Sequence, residues 1–135
     1  MGNAKILVVD DEQDMRIFVS TVVETLGFEP KAAKDGVEAL EEARLNPPAL
    51  VILDVMMPKI DDGIQTYRRF RTDPGLVHIP IIMLSAIAEK TFLHSIKMLS
   101  PQQGPQLPEP EAYMEKPPDA NELSRLITEL LPSGS

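Results

Sequence analysis

Ile6-Leu7-Val8-Val9-Asp10-Asp11-Glu12 joins an unbroken aliphatic run to three acids, and that junction decides how the whole chain is read. A short run with no polar face is what a parallel strand covered on both sides requires. Leu50-Val51-Ile52-Leu53 ahead of Asp54 repeats the pattern, as does Ile79 through Leu84 ahead of Ser85. Pro80 lies near the start of that third run, where a missing N–H is tolerated. Phe28 to Ala33 is a weaker, edge-like run, and Ala112-Tyr113-Met114-Glu115 is a short one leading into Lys116-Pro117-Pro118.

Between these runs the period becomes helical. Met15, Phe18, Val19, Val22, Val23 and Leu26 recur at i, i+3, i+4 spacing, and Gly27 ends that helix. Asp35 with Glu38 forms a capping-box pattern ahead of Val37, Leu40 and Ala43, and Pro47-Pro48 closes the segment. Ile64, Tyr67, Arg68 and Phe70 predict a third helix; Phe92, Leu93, Ile96 and Leu99 a fourth. Asp119 with Glu122 opens a fifth, with Leu123, Leu126, Ile127, Leu130 and Leu131 on its apolar face. Five strand-helix units in 135 residues are too few for an eight-unit barrel. They predict an α/β fold with an open, doubly wound five-stranded parallel sheet and five helices. In such sheets the chemistry lies beyond the carboxyl ends of the strands, where strand order reverses.

Composition narrows the function. Thirteen Lys+Arg against 21 Asp+Glu give a net charge of −8, a field that repels phosphate backbones and anionic lipid, so neither direct nucleic-acid nor membrane binding is expected. The chain has no cysteine, which excludes disulfides, thiolate metal sites and Cys nucleophiles. No targeting signal is recognisable, and a cytoplasmic location is expected. At the predicted strand ends stand Asp10, Asp11, Asp54, Ser85 and Lys116. An Asp after a strand is often only a helix cap, a strand-end Ser a loop hydroxyl and a Lys before Pro a solvated charge. Together at one sheet edge, three carboxylates call for a cation, and an all-oxygen donor set selects a hard ion, Mg²⁺ or Mn²⁺.

These motifs resemble the receiver domain of two-component response regulators, the family typified by the chemotaxis response regulator with its flavodoxin-like sheet of strand order 2-1-3-4-5. Val8-Val9-Asp10-Asp11-Glu12 is similar to the family's acidic pair, Leu53-Asp54-Val55-Met56-Met57-Pro58 to its phosphoacceptor motif, Met83-Leu84-Ser85-Ala86 to its strand-four hydroxyl, and Tyr113-Met114-Glu115-Lys116-Pro117 to its aromatic and Lys-Pro pair. The resemblance implies a receiver domain over residues 1–131, with 132–135 as a tail or linker stub. It implies Mg²⁺-dependent transfer of a phosphoryl group from a phosphohistidine of a histidine kinase or phosphotransfer protein to Asp54. Asp11, Asp54 and the backbone carbonyl of Met56 would hold the ion, with Asp10 acting through water. Lys116 and Ser85 would meet phosphoryl oxygens, with the N–H groups of Met56 and Ala86 completing the cradle. Ser85 and Tyr113 would be the switch pair, and Lys116–Pro117 the position of a cis peptide.

The same resemblance implies an output face formed by the fourth helix, fifth strand and fifth helix, serving a downstream protein, a fused effector domain or a phosphorylation-dependent homodimer. Such a domain is a phosphoacceptor that catalyses only its own phosphorylation and dephosphorylation. Met56 and Ile87, both apolar, flank the acyl phosphate and imply slow self-dephosphorylation. A metal-dependent phosphohydrolase on a related sheet would want an acid two residues after its nucleophile, where this chain has Met56. An interaction module without phosphorylation would not need the full set of site residues kept here.

Two departures from the family stand out. Lys59-Ile60-Asp61-Asp62-Gly63 places the glycine one residue later than usual, so the loop beside the site is expected to be reshaped, with Asp61 or Asp62 as a solvated helix cap or an extra metal ligand. The span from Ser85 to Lys116 is longer than the family uses, and residues 101–110 hold four of the thirteen prolines. That segment is expected to form an extended, polyproline-like surface loop, either inert or altering the neighbouring output face.

Overall fold

Parallel pairing of short buried strands organises the molecule. The computed structural model describes residues 4–57, 59–98 and 106–131, without the side chains of Ile60 and Asp61. In chain order the elements are β1 (Lys5–Val9), α1 (Gln13–Thr25), β2 (Glu29–Ala33), α2 (Gly36–Leu45), β3 (Leu50–Leu53), α3 (Ile60–Thr72), β4 (Ile81–Ser85), α4 (Glu89–Lys97), β5 (Ala112–Glu115) and α5 (Ala120–Leu130). The strands form one sheet in the order β2-β1-β3-β4-β5, and every pairing is parallel. This is the flavodoxin-like arrangement, with the order reversing between β1 and β3.

Alternation along each strand divides the apolar side chains between two cores. Leu7, Val9, Val51, Leu53, Ile81 and Met83 face α2, α3 and α4, together with Tyr67, Phe70 and Phe92. Ile6, Val8, Leu50, Ile52, Ile82 and Leu84 face α1 and α5, with Val19, Val23, Leu123 and Ile127. Each fully buried aliphatic of this size contributes about 1.5–3 kcal/mol. Where one strand side chain is buried above the sheet and the next below it, slipping the register by one residue would gain nothing.

Local signals set the helix ends. Gly27 adopts φ +90°; its N–H bonds Glu24 O at 2.9 Å and Phe28 N–H reaches back to Val23 O at 3.1 Å, a Schellman closure of α1. Asp35 accepts from Glu38 N–H at 2.8 Å, and Asp119 from Glu122 N–H at 2.8 Å, so both predicted caps form. Asp62 closes the start of α3 by accepting from Lys59 N–H at 3.2 Å. Gly63 sits within α3 where it crosses the chain after β3: a Cβ there would lie 1.9 Å from the carbonyl oxygen of Val55.

Three expectations need correction. Phe18 and Val37 are 36% and 70% exposed rather than buried, because the faces of α1 and α2 that reach the sheet are filled by Val19, Val22 and Val23 and by Ala39, Leu40 and Ala43. On α3 it is Arg71, not Arg68, that turns inward beside Tyr67 and Phe70. Residues 106–110 have no regular secondary structure, yet they are no purely surface loop: Leu107 is 5% exposed and joins the core of Phe92 and Ile96. Pro58, Leu99, residues 101–105 and the tail 132–135 lie outside the described residues.

The Gly63 contact is directly testable. Gly63→Ala forces the Val55 backbone and α3 apart, and urea denaturation should show a loss of about 2 kcal/mol or more. A neutral or stabilising change would show that α3 does not rest on the backbone next to Asp54.

Candidate functional site

Ladder hydrogen bonds continue one residue past the strands and fix the site residues. Asp10 N–H bonds Ala33 O at 3.1 Å, Asp54 N–H bonds Val9 O at 2.9 Å, and Lys116 N–H bonds Ser85 O at 2.8 Å. Asp10 and Asp54 therefore sit side by side at the crevice where strand order reverses. They are 3% and 2% exposed. Asp11 and Glu12 follow on the exposed side. Oxygen atoms of Asp10, Asp11, Glu12 and Asp54 lie within 4.8 Å of one another.

Lys116 is the counter-charge. Its Nζ lies 3.0 Å from Asp10 Oδ2, 3.0 Å from Glu12 Oε1 and 3.5 Å from Asp54 Oδ2. The Lys116–Pro117 peptide is cis. Met56 N–H donates to Asp54 Oδ1 at 3.2 Å, and Glu12 N–H donates to Asp10 Oδ1 at 2.9 Å. Arg16 binds the Asp10 carbonyl oxygen at 2.8 Å. Neither Asp10 nor Asp11 caps α1, whose N-cap position is Glu12 with no side-chain cap bond. Helix capping thus leaves both acids unexplained.

Charge crowding perturbs these groups. Burial, reinforced by the neighbouring Asp10 charge and opposed by Lys116, pushes the Asp54 carboxyl up to about 6. Burial also raises Asp10, against the Glu12 N–H and Lys116 bonds that favour its anion. For Lys116 burial works toward the neutral amine, but the Asp10 and Glu12 carboxylates outweigh it and hold the ammonium above its ordinary range. A buried pair of carboxylates with a single ammonium and all-oxygen donors is chemically suited to a hard divalent ion.

Ser85, fully buried, ends the adjacent strand. Its Oγ accepts from Ile87 N–H at 3.2 Å, and among the described residues no hydrogen bond joins it to Asp54. Ala86 follows directly. Tyr113 OH donates to Ile87 O at 2.6 Å, and burial pushes the phenol up to about 12. The structure thus groups Asp10, Asp11, Asp54 and Lys116 tightly, with Met56 beside them, Ser85 at the end of the adjoining β4 and Tyr113 on β5 beyond it. Glu12 joins the cluster through Lys116, and its only sequence signal is that it is the third acid of the run. Among the described residues Asp62 stands outside the acidic cluster.

An acidic crevice at the carboxyl edge of a 2-1-3-4-5 sheet, with one lysine among buried aspartates, is the arrangement of a signalling receiver domain. The chain belongs to the response regulator receiver domain family, whose sequence model matches residues 6–100. The alkaline phosphatase synthesis transcriptional regulatory protein PhoP of Bacillus subtilis is 35% identical over 129 residues, 96% of this chain and 49% of that protein. The polar-differentiation response regulator DivK of Brucella anthropi is 32% identical over 117 residues, covering 87% and 86%. The chemotaxis protein CheY4 of Vibrio cholerae superposes with a TM-score of 0.78 at 27% identity, over 96% of this chain and 100% of that one. The chain spans only 33–49% of the length of several other curated relatives, PhoP included. Among the described residues no helix is long and apolar enough to cross a membrane.

The raised Asp54 carboxyl makes a pH prediction for ion-free protein. The folded group titrates near pH 6 and an unfolded aspartate near 3.8. Between those values the native chain holds the extra proton, so stability falls as pH rises through the window and stays lower above it, by up to about 3 kcal/mol. Asp54→Asn keeps an oxygen for Met56 N–H and removes the charge. In EDTA it should raise the melting temperature at pH 7.5 and leave it unchanged below pH 4; a loss at pH 7.5 would contradict the electrostatic account.

Proposed function

We propose that Asp54 takes a phosphoryl group from a phosphohistidine of a histidine kinase or phosphotransfer protein, and that this switches a protein-binding face. The observation that carries the reading is Asp54 itself: a buried carboxylate at the crevice, with an ammonium at 3.5 Å and a backbone N–H at 3.2 Å. An Asp54 oxygen attacks phosphorus, the phosphorus–nitrogen bond breaks, and the departing imidazole nitrogen keeps the electron pair and takes a proton from solvent. The step needs positioning and charge neutralisation rather than a strong base.

The chain supplies both. Lys116 already spans Asp10 and Asp54, and its ammonium is placed to pair with a phosphoryl oxygen once Asp54 carries the acyl phosphate. Met56 and Ala86 offer backbone N–H groups, and Ser85 a hydroxyl, to the remaining oxygens. Asp11, Asp54 and the Met56 carbonyl, with Asp10 through water, suit a Mg²⁺ or Mn²⁺ ion that would neutralise charge on the transferring group when bound.

In this reading the Ser85 hydroxyl turns toward the phosphoryl group and gives up its bond with Ile87 N–H. Tyr113, bonded to the Ile87 carbonyl, reports that change to the face formed by α4, β5 and α5. The partner there is a downstream protein, a fused effector or a second copy, in a cytoplasmic setting. The domain extends through α5 to residue 131, since Leu123 and Ile127 complete the second core. It turns over no substrate beyond its own phosphorylation and dephosphorylation.

Incubation with Mg²⁺ and a small acyl- or amido-phosphate donor should add one phosphoryl group by intact mass. Asp54→Ala should add none, and chelating the ion should abolish the gain. Because Met56 and Ile87 present apolar flanks, the phosphorylated form should persist for many minutes after the donor is removed. A lifetime of seconds in Mg²⁺ would contradict that assignment of the flanks.

A further inference from the structure

Arg71 and Tyr67 are buried polar groups of α3 that the phosphoryl chemistry does not use. Both are spent on the segment that enters β5. Tyr67 OH donates to the Pro108 carbonyl at 2.5 Å. Arg71 Nη2 pairs with Glu111 Oε1 at 2.6 Å, and the same oxygen accepts from Ile81 N–H at 2.7 Å. Arg71 Nη1 also donates to the carbonyls of Ile79 and Val77, at 3.2 and 3.4 Å. The guanidinium lies 5.1 Å from the Tyr67 ring centre, within cation–π range. Its buried Nε has no partner among the described residues. Leu107 fills the core between these fastenings.

The same tyrosine begins a line of rings toward the site. Tyr67 meets Phe92 edge to face, with centres 5.6 Å apart and planes at 79°, and Phe92 meets Tyr113 at 5.6 Å and 42°. Tyr113 OH ends on the carbonyl of Ile87, whose N–H is bonded to Ser85 Oγ. Pro108 is therefore linked to the loop beside Asp54 by three rings in contact and two phenol hydrogen bonds. Close-packed rings do not deform smoothly, so displacement at one end must be accommodated at the other.

We propose that residues 106–111 are a clasp, fastened by Tyr67 and Arg71, whose seating is coupled through Phe92 to Tyr113 and the 85–87 loop. Tyr67 and Arg71 are positioning residues. A protein that draws the clasp off α3 shifts the resting arrangement beside Asp54, and by reciprocity phosphorylation loosens the clasp. The phosphorylation half of this statement rests on the function proposed above; the mechanical half does not.

Adjacency is not coupling; a joint response of both ends is. The chain has two tyrosines and no tryptophan, so the full chain labelled with ¹³C-tyrosine gives one ring signal from each end, assigned by Tyr67→Phe and Tyr113→Phe. Glu111→Gln, which removes the charge opposite Arg71, should move both signals, and Tyr67→Phe should move the Tyr113 signal. Wild-type protein treated with Mg²⁺ and an acyl phosphate should move both together. The proposal is overturned if folded Glu111→Gln moves Tyr67 alone, if Tyr67→Phe leaves Tyr113 in place, or if phosphorylation moves Tyr113 and not Tyr67. Intact mass on the treated sample separates the failures: no added phosphoryl group sinks the functional reading, and the two variants then decide the clasp.

Discussion

Asp10 and Asp54 are held side by side, out of water, by backbone hydrogen bonds that neither side chain can alter. Asp54 N–H is tied to Val9 O and Asp10 N–H to Ala33 O, so parallel pairing places like charges together wherever neighbouring strands both carry an acid at that step. The rest of the site answers that repulsion. Lys116 is delivered by the same device from β5, its N–H on Ser85 O. Its ammonium bridges the two aspartates and Glu12. One cation against this many acids leaves the crevice negative, a charge that a hard divalent ion would suit.

Both cores serve this arrangement by fixing the strand ends. The register of β1 between β2 and β3 sets Val9 level with Ala33 and Leu53, and their apolar neighbours resist any slip. Gly63 lets α3 lie against the Val55 carbonyl, which holds the turn carrying Met56. On the far side, β4 and β5 align Ser85 with Glu115, so Lys116 enters the crevice one residue later. Packing and chemistry therefore depend on the same few backbone bonds.

Much of this was legible because it is local or periodic. The bounds of β3 and β5 follow from composition, and the caps of α2 and α5 from acids three residues apart. The strand-end acids, serine and lysine announce a site once the parallel sheet is inferred. What the sequence hid is long-range. Arg68 and Arg71 look alike in a helical pattern, and only the arrival of Glu111, forty residues on, makes Arg71 the one that is buried. Leu107 sits among prolines that read as surface loop, and its burial depends on a space beside Phe92 that no local pattern reveals. Phe18 fits the apolar period of α1, yet smaller valines already fill the available sheet surface. The inserted residue before Gly63 shifts a spacing without removing the close approach that needs glycine.

The ion pair of Arg71 also bears on how the chain assembles. A guanidinium stripped of water without its carboxylate is costly, so α3 cannot settle fully onto β4 until residue 111 has come back beside Ile81. A chain ending at residue 100 would retain every position of the family match yet lack both Glu111 and Lys116, stranding one buried cation and two buried anions at opposite ends of the sheet. The first four strand–helix units are thus a scaffold awaiting its last ligature, and the proline-rich route to β5 carries the knot.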